Sequence, residues 1–382
     1  MTILIISRGI PSQKDPLWGN FEFDQAKALA ALGHTVIIAS VDIRFRLQWR
    51  KIGLTCQDIN GIHTYNLFVC PRAIIGLFGN RAKEKYTAWL WHRMEKTILA
   101  KEGKIDIIYP HYLSGSHKAV NYLKGIHAPI VAIEHWSELN REPMNPAIEK
   151  MAKTTYPYVD KLLTVSEPLS QRIRSKFNIP SVVVHNMVGS EFNYLEAQTS
   201  KKFTFVSVGS LFPNKNHTLL ISALIKLNLP KDTWQLIIVG EGKERNKLQR
   251  QINESGLSEN IHLPGVKNKQ EIARLLNESH VFVLPSISEN FSVAVLEALA
   301  CGMPVVASIC GGIRECINEK NGLLFEVNDI NGLAKCLKHM YEHYSDYDRQ
   351  AISDDCKARF SPEVIAKQLE TIFKATIEKR HV

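Results

Sequence analysis

Long apolar runs and paired cysteines are missing from this chain of 382 residues. No stretch of 18 or more apolar residues occurs, which argues against a membrane-spanning helix. The seven cysteines are scattered and never spaced C-x-x-C, which argues against a disulfide framework or a zinc site and for reduced thiols in a cytosolic protein. The apolar run at residues 2–7 is too short for a signal-peptide core and has no basic region before it, so we interpret it as a buried strand.

Two common nucleotide-binding signatures are also absent. The segment Val239-Gly240-Glu241-Gly242 is a strand followed by a glycine turn, but it does not match G-x-G-x-x-G, and no G-x-x-x-x-G-K occurs. The one D-x-D, at residues 346–348, lies in a polar stretch and is interpreted as a solvated turn. The sequence therefore favours neither a dinucleotide fingerprint nor a P-loop.

The net charge of +9 lies entirely in the first half of the chain. Residues 1–190 contain 24 Lys and Arg against 15 Asp and Glu, whereas residues 191–382 contain 23 of each kind. A basic half beside a neutral half indicates an anionic partner: a phospholipid surface, a lipid-phosphate acceptor or nucleic acid. Plain solubility is the alternative.

Short apolar runs alternate with amphipathic stretches along the whole sequence. This alternation predicts an α/β protein with two Rossmann-like, doubly wound parallel-sheet domains facing a central cleft. The predicted domains are residues 1–190 and residues 191–360. Residues 361–382 are predicted to form a C-terminal helix that either caps the second domain or crosses back to the first.

The clearest motif is the segment 288–304, in which a loop leads from a strand into a helix ended by glycine and proline. The peptide N–H groups of Asn290, Phe291 and Ser292 are predicted to open this helix unpaired and to seat a phosphate. Glu297 is the one charge within residues 293–300, and ribose hydroxyls are a candidate partner for its carboxylate. Glu289 precedes the helix and is predicted to point into the cleft near this phosphate seat. The alternatives are a structural salt bridge for Glu297 and a solvated loop position for Glu289.

A second motif opens the second domain at residues 206–216, where a strand and a glycine turn precede a lysine. Gly209 permits close approach of a ligand to the backbone, and Lys215 supplies a positive charge for a pyrophosphate. Gly240 occupies the same kind of position after the next strand. An ordinary exposed lysine at a helix start is the alternative for Lys215.

Taken together, these segments resemble the retaining glycosyltransferase family 4, which has the two-domain GT-B fold. The family's E-x7-E signature matches Glu289 through Glu297, and its strand–glycine–lysine element matches Gly209 and Lys215. The resemblance implies that residues 1–190 form the acceptor-side domain and residues 191–360 the nucleotide-sugar-binding domain. It implies that Glu289 contacts the donor sugar, Glu297 the ribose and Val266 the nucleobase. It also implies that the diphosphate of a UDP- or GDP-linked donor lies on Lys215 and the amides of residues 290–292, with no cofactor and no bound metal.

The sequence departs from the family pattern at two places. The family's arginine after the first glycine is Ser210 here, which removes one cation from the diphosphate clamp. Arg8, Lys267 and Arg314 are the candidate replacements. The family's glycine pair after the first glutamate is also replaced, by residues 290–292, and this departure matters less because the backbone makes those contacts.

The first domain carries weaker signals. Gly19 and Asn20 lie between the first strand and the first helix, where the family places a glycine-rich loop near the diphosphate. His135 follows an apolar strand where relatives carry a histidine facing the reacting sugar, so it is expected to position that sugar or take the acceptor proton. A structural role for His135 is the alternative.

The predicted function is transfer of a hexose-type sugar from the donor to a glycan or lipid-linked acceptor in cell-surface polysaccharide synthesis. Clustered cations and tryptophans between residues 72 and 96 favour contact of a cytoplasmic protein with the inner face of the membrane, and an ordinary connecting helix is the alternative. Two other functions compete: a nucleotide-sugar epimerase of the same architecture and a basic nucleic-acid-binding protein. No helix-turn-helix or stacking pattern accompanies the charge, so no nucleic-acid partner is expected.

Overall fold

The computed structural model describes residues 1–11, 18–43, 52–69, 72–75, 77, 79–196 and 200–381. The chain divides into two compact units. The first consists of Met1–Val184 together with Ile365–Val382, and the second consists of His185–Val364. Each unit has its own sheet and its own core, and each is described by itself below.

The first unit is built on two groups of hydrogen-bonded strands. Its strands are β1 (Thr2–Ile6), β2 (Thr35–Asp42), β3 (Gly53–Ile59), β4 (Ile62–Phe68), β5 (Ile107–Pro110), β6 (Val131–Glu134), β7 (Lys161–Thr164) and β8 (Val182–Val183). Its helices up to residue 184 are α1 (Asn20–Ala31), α2 (Arg72–Ile75), α3 (Asn80–Glu102), α4 (Tyr112–Tyr122), α5 (Pro146–Thr155) and α6 (Glu167–Phe177). The strand orders are β3-β4-β2-β1-β5 and β6-β7-β8, and isolated parallel bridges join β5 to the strand region of β6.

Apolar strands buried on both faces form the centre of this unit. Ile3, Leu4, Ile5 and Ile6 of β1 are all fully buried, as expected of a parallel strand covered by helices on both sides. Helix α3 covers one face through Leu90, Trp91, Met94 and Ile98. The prediction of parallel sheets from the sequence is confirmed here for all pairs of neighbouring strands except one.

The exception is an antiparallel hairpin of β3 and β4, which the sequence analysis missed. Its turn is formed by Asn60 and Gly61, both with positive φ, 55° and 78°. An Asn-Gly pair is the preferred sequence for a two-residue hairpin turn, because both central residues of such a turn need positive φ. Strand β3 is largely exposed, so it lacks the continuous apolar run by which the other strands were recognised.

The second unit contains one six-stranded, fully parallel sheet. Its strands are β9 (Phe203–Val208), β10 (Trp234–Val239), β11 (Ile261–Gly265), β12 (Val281–Leu284), β13 (Val305–Ser308) and β14 (Gly322–Phe325). Its helices are α7 (His217–Leu227), α8 (Arg245–Glu254), α9 (Lys269–Glu278), α10 (Val293–Ala300), α11 (Ile330–His343) and α12 (Arg349–Phe360). The strand order is β11-β10-β9-β12-β13-β14. From β9, the sheet is extended first on one side by β10 and β11 and then on the other side by β12, β13 and β14, so β9 and β12 are neighbours.

Local sequence signals explain where several of these helices begin. Asn268 caps α9 in a reciprocal capping box with Glu271, and the Asp329 carboxylate accepts hydrogen bonds from the first turn of α11. Trp234 and Leu236 of β10 pack with Leu220 and Leu224 of α7 in the core. The six strands and the helices α7 to α11 follow the alternation that the sequence predicts, whereas α12 was not predicted.

The last helix is α13 (Pro362–His381), and its residues from Ile365 onward belong to the first unit. Phe373 on this helix is fully buried and its ring centroid lies 5.0 Å from that of Tyr109 on β5. Arg380 lies 3.8 Å from Asp160, which precedes β7. The end of the chain is therefore part of the core of the first unit.

No helix in the described parts of the chain is both long enough and apolar enough to cross a bilayer.

Candidate active site

Glycine turns follow three neighbouring strands of the second unit. A Cβ on Gly240 would lie 1.9 Å from the Gly209 carbonyl oxygen, so only glycine fits at this close approach after β10. The Gly209 N–H donates to the Val239 carbonyl at 3.0 Å, and the Gly240 N–H donates to the Gly265 carbonyl at 2.9 Å. The carboxyl ends of β9, β10 and β11 thus form one edge, which is where open α/β sheets bind ligands.

A lysine and a glutamate meet at this edge. Lys215 Nζ lies 2.6 Å from Glu289 Oε1, and their side chains are only 20% and 13% exposed. Asn214, beside the lysine, donates its side-chain N–H to the Ser288 carbonyl at 2.8 Å. Its backbone carbonyl accepts from the Ile287 N–H at 2.8 Å. Because β9 lies next to β12, the loops that follow these two strands are fastened together. The structure therefore brings Lys215 and Glu289 into one site.

The loop after Glu289 leads into α10 with its first turn uncapped by any side chain. Ser292 is the N-cap residue and its side chain makes no capping hydrogen bond. Asn290, Phe291 and Ser292 are all buried, and the Phe291 carbonyl accepts from Asn186 Nδ2 at 3.0 Å. The first N–H groups of a helix lack intrahelical acceptors and carry partial positive charge, so this turn suits an anion.

A turn that was not predicted from the sequence contacts this loop. Gly311, after β13, has φ +52°, and a Cβ there would lie 1.8 Å from the Glu289 carbonyl oxygen. The next residue, Gly312, donates its N–H to the Asn290 carbonyl at 2.9 Å. The signal available in the sequence was a Gly-Gly pair separated by two residues from the end of an apolar strand.

Glu297 and Val266 occupy different environments in the second unit. Glu297 is half-buried on α10, where it is the one charged residue of the helix. Val266 directly follows Gly265 at the end of β11 and is 60% exposed, which leaves its side chain open to a planar ligand. Their assignment to the ribose and the nucleobase stays a prediction.

Ser210 is exposed beside the glycine turn, and the three candidate replacement cations differ in their surroundings. Lys267 Nζ lies 3.5 Å from Glu271, and Arg8 belongs to the first unit, where its Nε lies 3.1 Å from Glu22. Arg314 is exposed on the 3₁₀ turn that begins at Gly311 and has no ion-pair partner among the described residues. Arg314 lies on the segment that contacts the Glu289 loop through Gly311 and Gly312.

In the first unit, Gly19 and Asn20 form the entry to α1. Gly19 has φ +83°, and a Cβ there would lie 2.1 Å from the Gly9 carbonyl oxygen, so this glycine is required by the close approach of two backbone segments. Trp18 donates its indole N–H to the Arg8 carbonyl at 2.7 Å. Asn20 is the first residue of the helix. Leu17, two residues before Gly19, lies outside the described residues.

His135 follows β6 and is held by its neighbour Glu134. The Glu134 carboxyl accepts the N–H groups of His135 and Trp136 at 2.9 and 2.7 Å and the Tyr156 hydroxyl at 2.9 Å. Burial nevertheless raises the pKa of Glu134 to about 7. The backbone at His135 is therefore fixed by a buried carboxyl group that titrates near neutrality.

Two further residues beside His135 escaped the sequence analysis. His111 is fully buried directly after β5, and its ring stacks on that of His135 at a centroid distance of 5.2 Å. Burial, with a smaller contribution from Arg8, lowers the pKa of His111 to about 3, so its ring is uncharged. Tyr112 contacts the His135 ring at 5.1 Å. The available signal was an aromatic, polar segment at the carboxyl end of an apolar strand.

Solved structures with two doubly wound units show which fold this chain has. A sucrose-phosphate synthase from Thermosynechococcus elongatus superposes with a TM-score of 0.79 over 99% of both chains at 18% identity. Anabaena HepE in complex with UDP gives a TM-score of 0.74 over 98% of this chain and 99% of its own, at 16% identity. The fold is GT-B, the architecture of a large class of glycosyltransferases.

Family profiles identify the group within that class. Residues 21–192 match the profile described as Glycosyltransferase Family 4, and residues 195–354 match Glycosyl transferases group 1. An uncharacterised glycosyltransferase of Methanocaldococcus jannaschii is 29% identical over 63% of this chain and 67% of its own length. The chain belongs to glycosyltransferase family 4, as the E-x7-E segment indicated, and it is a glycosyltransferase.

Proposed function

We propose that this glycosyltransferase moves a hexose-type sugar, with retention of configuration, from a UDP- or GDP-linked donor to a glycan or lipid-linked acceptor. The observation that carries the proposal is the meeting of Lys215 and Glu289 beside the uncapped start of α10. We propose cell-surface polysaccharide synthesis as the setting and a reaction that needs no bound metal or cofactor. The related fold of HepE was solved with UDP, which supports a nucleotide-linked donor.

The charges at this edge suit a diphosphate and a sugar. Lys215 Nζ and Glu289 Oε1 lie 2.6 Å apart, so the two charges neutralise each other. A diphosphate carries more negative charge than one carboxylate and would attract the ammonium group, while the peptide N–H groups before α10 bind its oxygens. Glu289 would then be available for the hydroxyls of the donor sugar. Charge that develops on the leaving diphosphate is stabilised by the same fixed groups.

The remaining donor contacts follow from the positions of Glu297 and Val266. We propose that Glu297, the one charged residue of α10 and half-buried there, accepts hydrogen bonds from the ribose hydroxyls. Val266, exposed after Gly265, would lie against the nucleobase. Gly209, Ser210 and Gly240 would line the donor with backbone at the edge where their strands end.

For the first unit, we propose that His135 positions the reacting sugar or takes the acceptor proton, and that the turn at Gly19 and Asn20 lies near the diphosphate. A neutral imidazole can accept a proton from a hydroxyl at physiological pH. The His135 backbone is fixed on Glu134 and its ring contacts the rings of His111 and Tyr112, which together hold the imidazole in place.

We also propose that α3 contacts an anionic membrane surface near a lipid-linked acceptor. One face of the helix exposes four cations around Trp89: Arg81, Lys85, Arg93 and Lys96. Trp89 is 55% exposed, and Leu77 before the helix is 84% exposed, whereas Gly76 and Phe78 lie outside the described residues. Each cation near an anionic leaflet contributes about 1 kcal/mol. Sedimentation with vesicles should require phosphatidylserine and weaken when these cations become glutamine; equal binding to neutral vesicles would contradict it.

The donor assignments are tested by Glu297→Gln and Glu289→Gln, with Glu342→Gln on the exposed face of α11 as the matched control. We expect Glu297→Gln to weaken binding of UDP or GDP in calorimetry, and Glu289→Gln to slow transfer while leaving nucleotide binding near the parental value. The control should match the parental protein in both assays. Parental transfer rates in both variants would refute the assignment, and donor isomerisation without acceptor would favour an epimerase.

A further inference from the structure

Four aromatic rings form a continuous series inside the first unit. Phe373 of α13 meets Tyr109 of β5 at a centroid distance of 5.0 Å and an interplanar angle of 66°. Tyr109 meets His111 at 4.7 Å and 67°, and His111 stacks on His135 at 5.2 Å and 9°. The Tyr109 hydroxyl donates to Gln25 of α1 at 2.7 Å, which fixes the middle of the series. The series ends on the histidine to which we assign a role in transfer.

His111 is a buried histidine whose two ring nitrogens make no hydrogen bond to the described residues. It is fully buried. Buried polar groups are nearly always hydrogen-bonded, so an exception calls for an explanation. Since the ring is uncharged, it contacts His135 as a flat aromatic surface without electrostatic repulsion.

The backbone of Tyr112 is unusual as well. Its φ is +63°, a conformation that is rare for a bulky residue and is retained only where the surrounding structure demands it. As a result, the consecutive residues His111 and Tyr112 both contact the His135 ring, the first at an angle of 9° and the second at 42°. Tyr112 is held in turn by Arg8, whose guanidinium carbon lies 3.8 Å from the tyrosine ring centroid.

We propose that His111 and Tyr112 are positioning residues that hold the plane of the His135 imidazole, and that Phe373 supports His111 through Tyr109. The inference rests on the proposed function, because an oriented His135 matters only if it acts on the sugar or the acceptor. A group that takes a proton must lie within hydrogen-bond reach of it, and a misplacement of about 1 Å can lower a rate about a hundredfold. The C-terminal helix thereby contributes to transfer without touching substrate.

The kinetic test compares His111→Ala, which removes the stacked ring, with His111→Phe, which keeps a ring but no nitrogen. We expect His111→Ala to lower kcat between about tenfold and a hundredfold with the donor KM changed less than about threefold, and His111→Phe to restore kcat to within about threefold of parental. Phe373→Ala should lower kcat in the same direction. Ile98→Ala, which empties the core under α3 on the other side of the sheet, is the matched control and should leave kcat unchanged.

A second measurement needs no substrate. In protein labelled with ¹³C-histidine, the His135 signal is identified by its loss in His135→Asn, and its position and width are compared among the variants. We expect a sharp signal in the parental protein and in His111→Phe, and a shifted or broadened one in His111→Ala. If the parental protein transfers no sugar from any donor, the proposed function fails while this comparison still decides the ring contact.

Two results would overturn the inference itself. The first is a His111→Ala variant with parental kcat and an unchanged His135 signal. The second is a His111→Phe variant as impaired as His111→Ala, which would assign the role to the ring nitrogens and not to the stacked plane.

Discussion

Gly311→Ala should separate the two effects that a glycine has at the candidate donor site. The first is conformational: a residue other than glycine in the left-handed region costs about 1–2 kcal/mol, and Gly311 has φ +52°. The second is steric. The new Cβ would lie 1.8 Å from the Glu289 carbonyl oxygen, where real contacts are not shorter than 3.0 Å, so the difference of 1.2 Å must come from movement of the backbone.

That movement acts on the loop that carries Glu289 and on the start of α10. Gly312 donates its N–H to the Asn290 carbonyl at 2.9 Å. A shift of the turn therefore displaces Glu289 and Asn290 together. Because displacement by about 1 Å can lower a rate about a hundredfold, we expect kcat to fall on that order and nucleoside diphosphate binding to weaken. Transfer from the nucleotide-sugar donor and calorimetry with UDP or GDP measure the two effects.

Gly256→Ala is the matched control in the same unit. Gly256 has φ +66°, but the nearest atom to a new Cβ is the mobile Lys231 Nζ at 3.8 Å. It therefore carries the conformational cost alone, which should lower Tm by roughly 2–8 °C for a domain of this size and leave kcat at the parental value. Parental turnover in Gly311→Ala, or an equal loss of turnover in both variants, would refute the steric reasoning.

Two further predictions concern charge. Arg314→Gln should raise the Kd of the nucleoside diphosphate about tenfold if Arg314 replaces the cation missing at Ser210, since one charge-assisted hydrogen bond contributes about 1.5–3 kcal/mol; an unchanged Kd in calorimetry would exclude Arg314. Glu134 has a pKa of about 7 against 4.5 in the unfolded chain, so stability should fall as the pH rises from about 4.5 through 7. Glu134→Gln should flatten that fall in thermal unfolding between pH 4.5 and 8, whereas parallel curves would contradict the assignment.

Local patterns were sufficient to predict most of the elements and their types. Apolar strands such as β1 and β12 and amphipathic helices such as α9 are each encoded in a few consecutive residues. The placement of Glu289 in a loop and Glu297 inside a helix also followed from the segment itself. The hairpin of β3 and β4 was missed because its strands were sought as continuous apolar runs, although the Asn-Gly turn was visible.

Contacts between distant parts of the chain could not be predicted in this way. Lys215 and Glu289 are 74 residues apart, and they meet because β9 lies beside β12, an arrangement that no local pattern specifies. The stacking of His111 on His135 likewise depends on β5 lying beside β6, and the contact of Phe373 with Tyr109 depends on where α13 packs.

The sequence by itself therefore determined the class of fold, the family and the segment that carries the candidate site, because these are carried by periodicity and by short segments. The tertiary structure alone decided which charges neutralise each other, that His111 lies buried and uncharged, and that the last helix belongs to the first unit. The physical reason is that pKa values, ion pairs and ring contacts depend on strand order and burial, and these are properties of the packed chain as a whole.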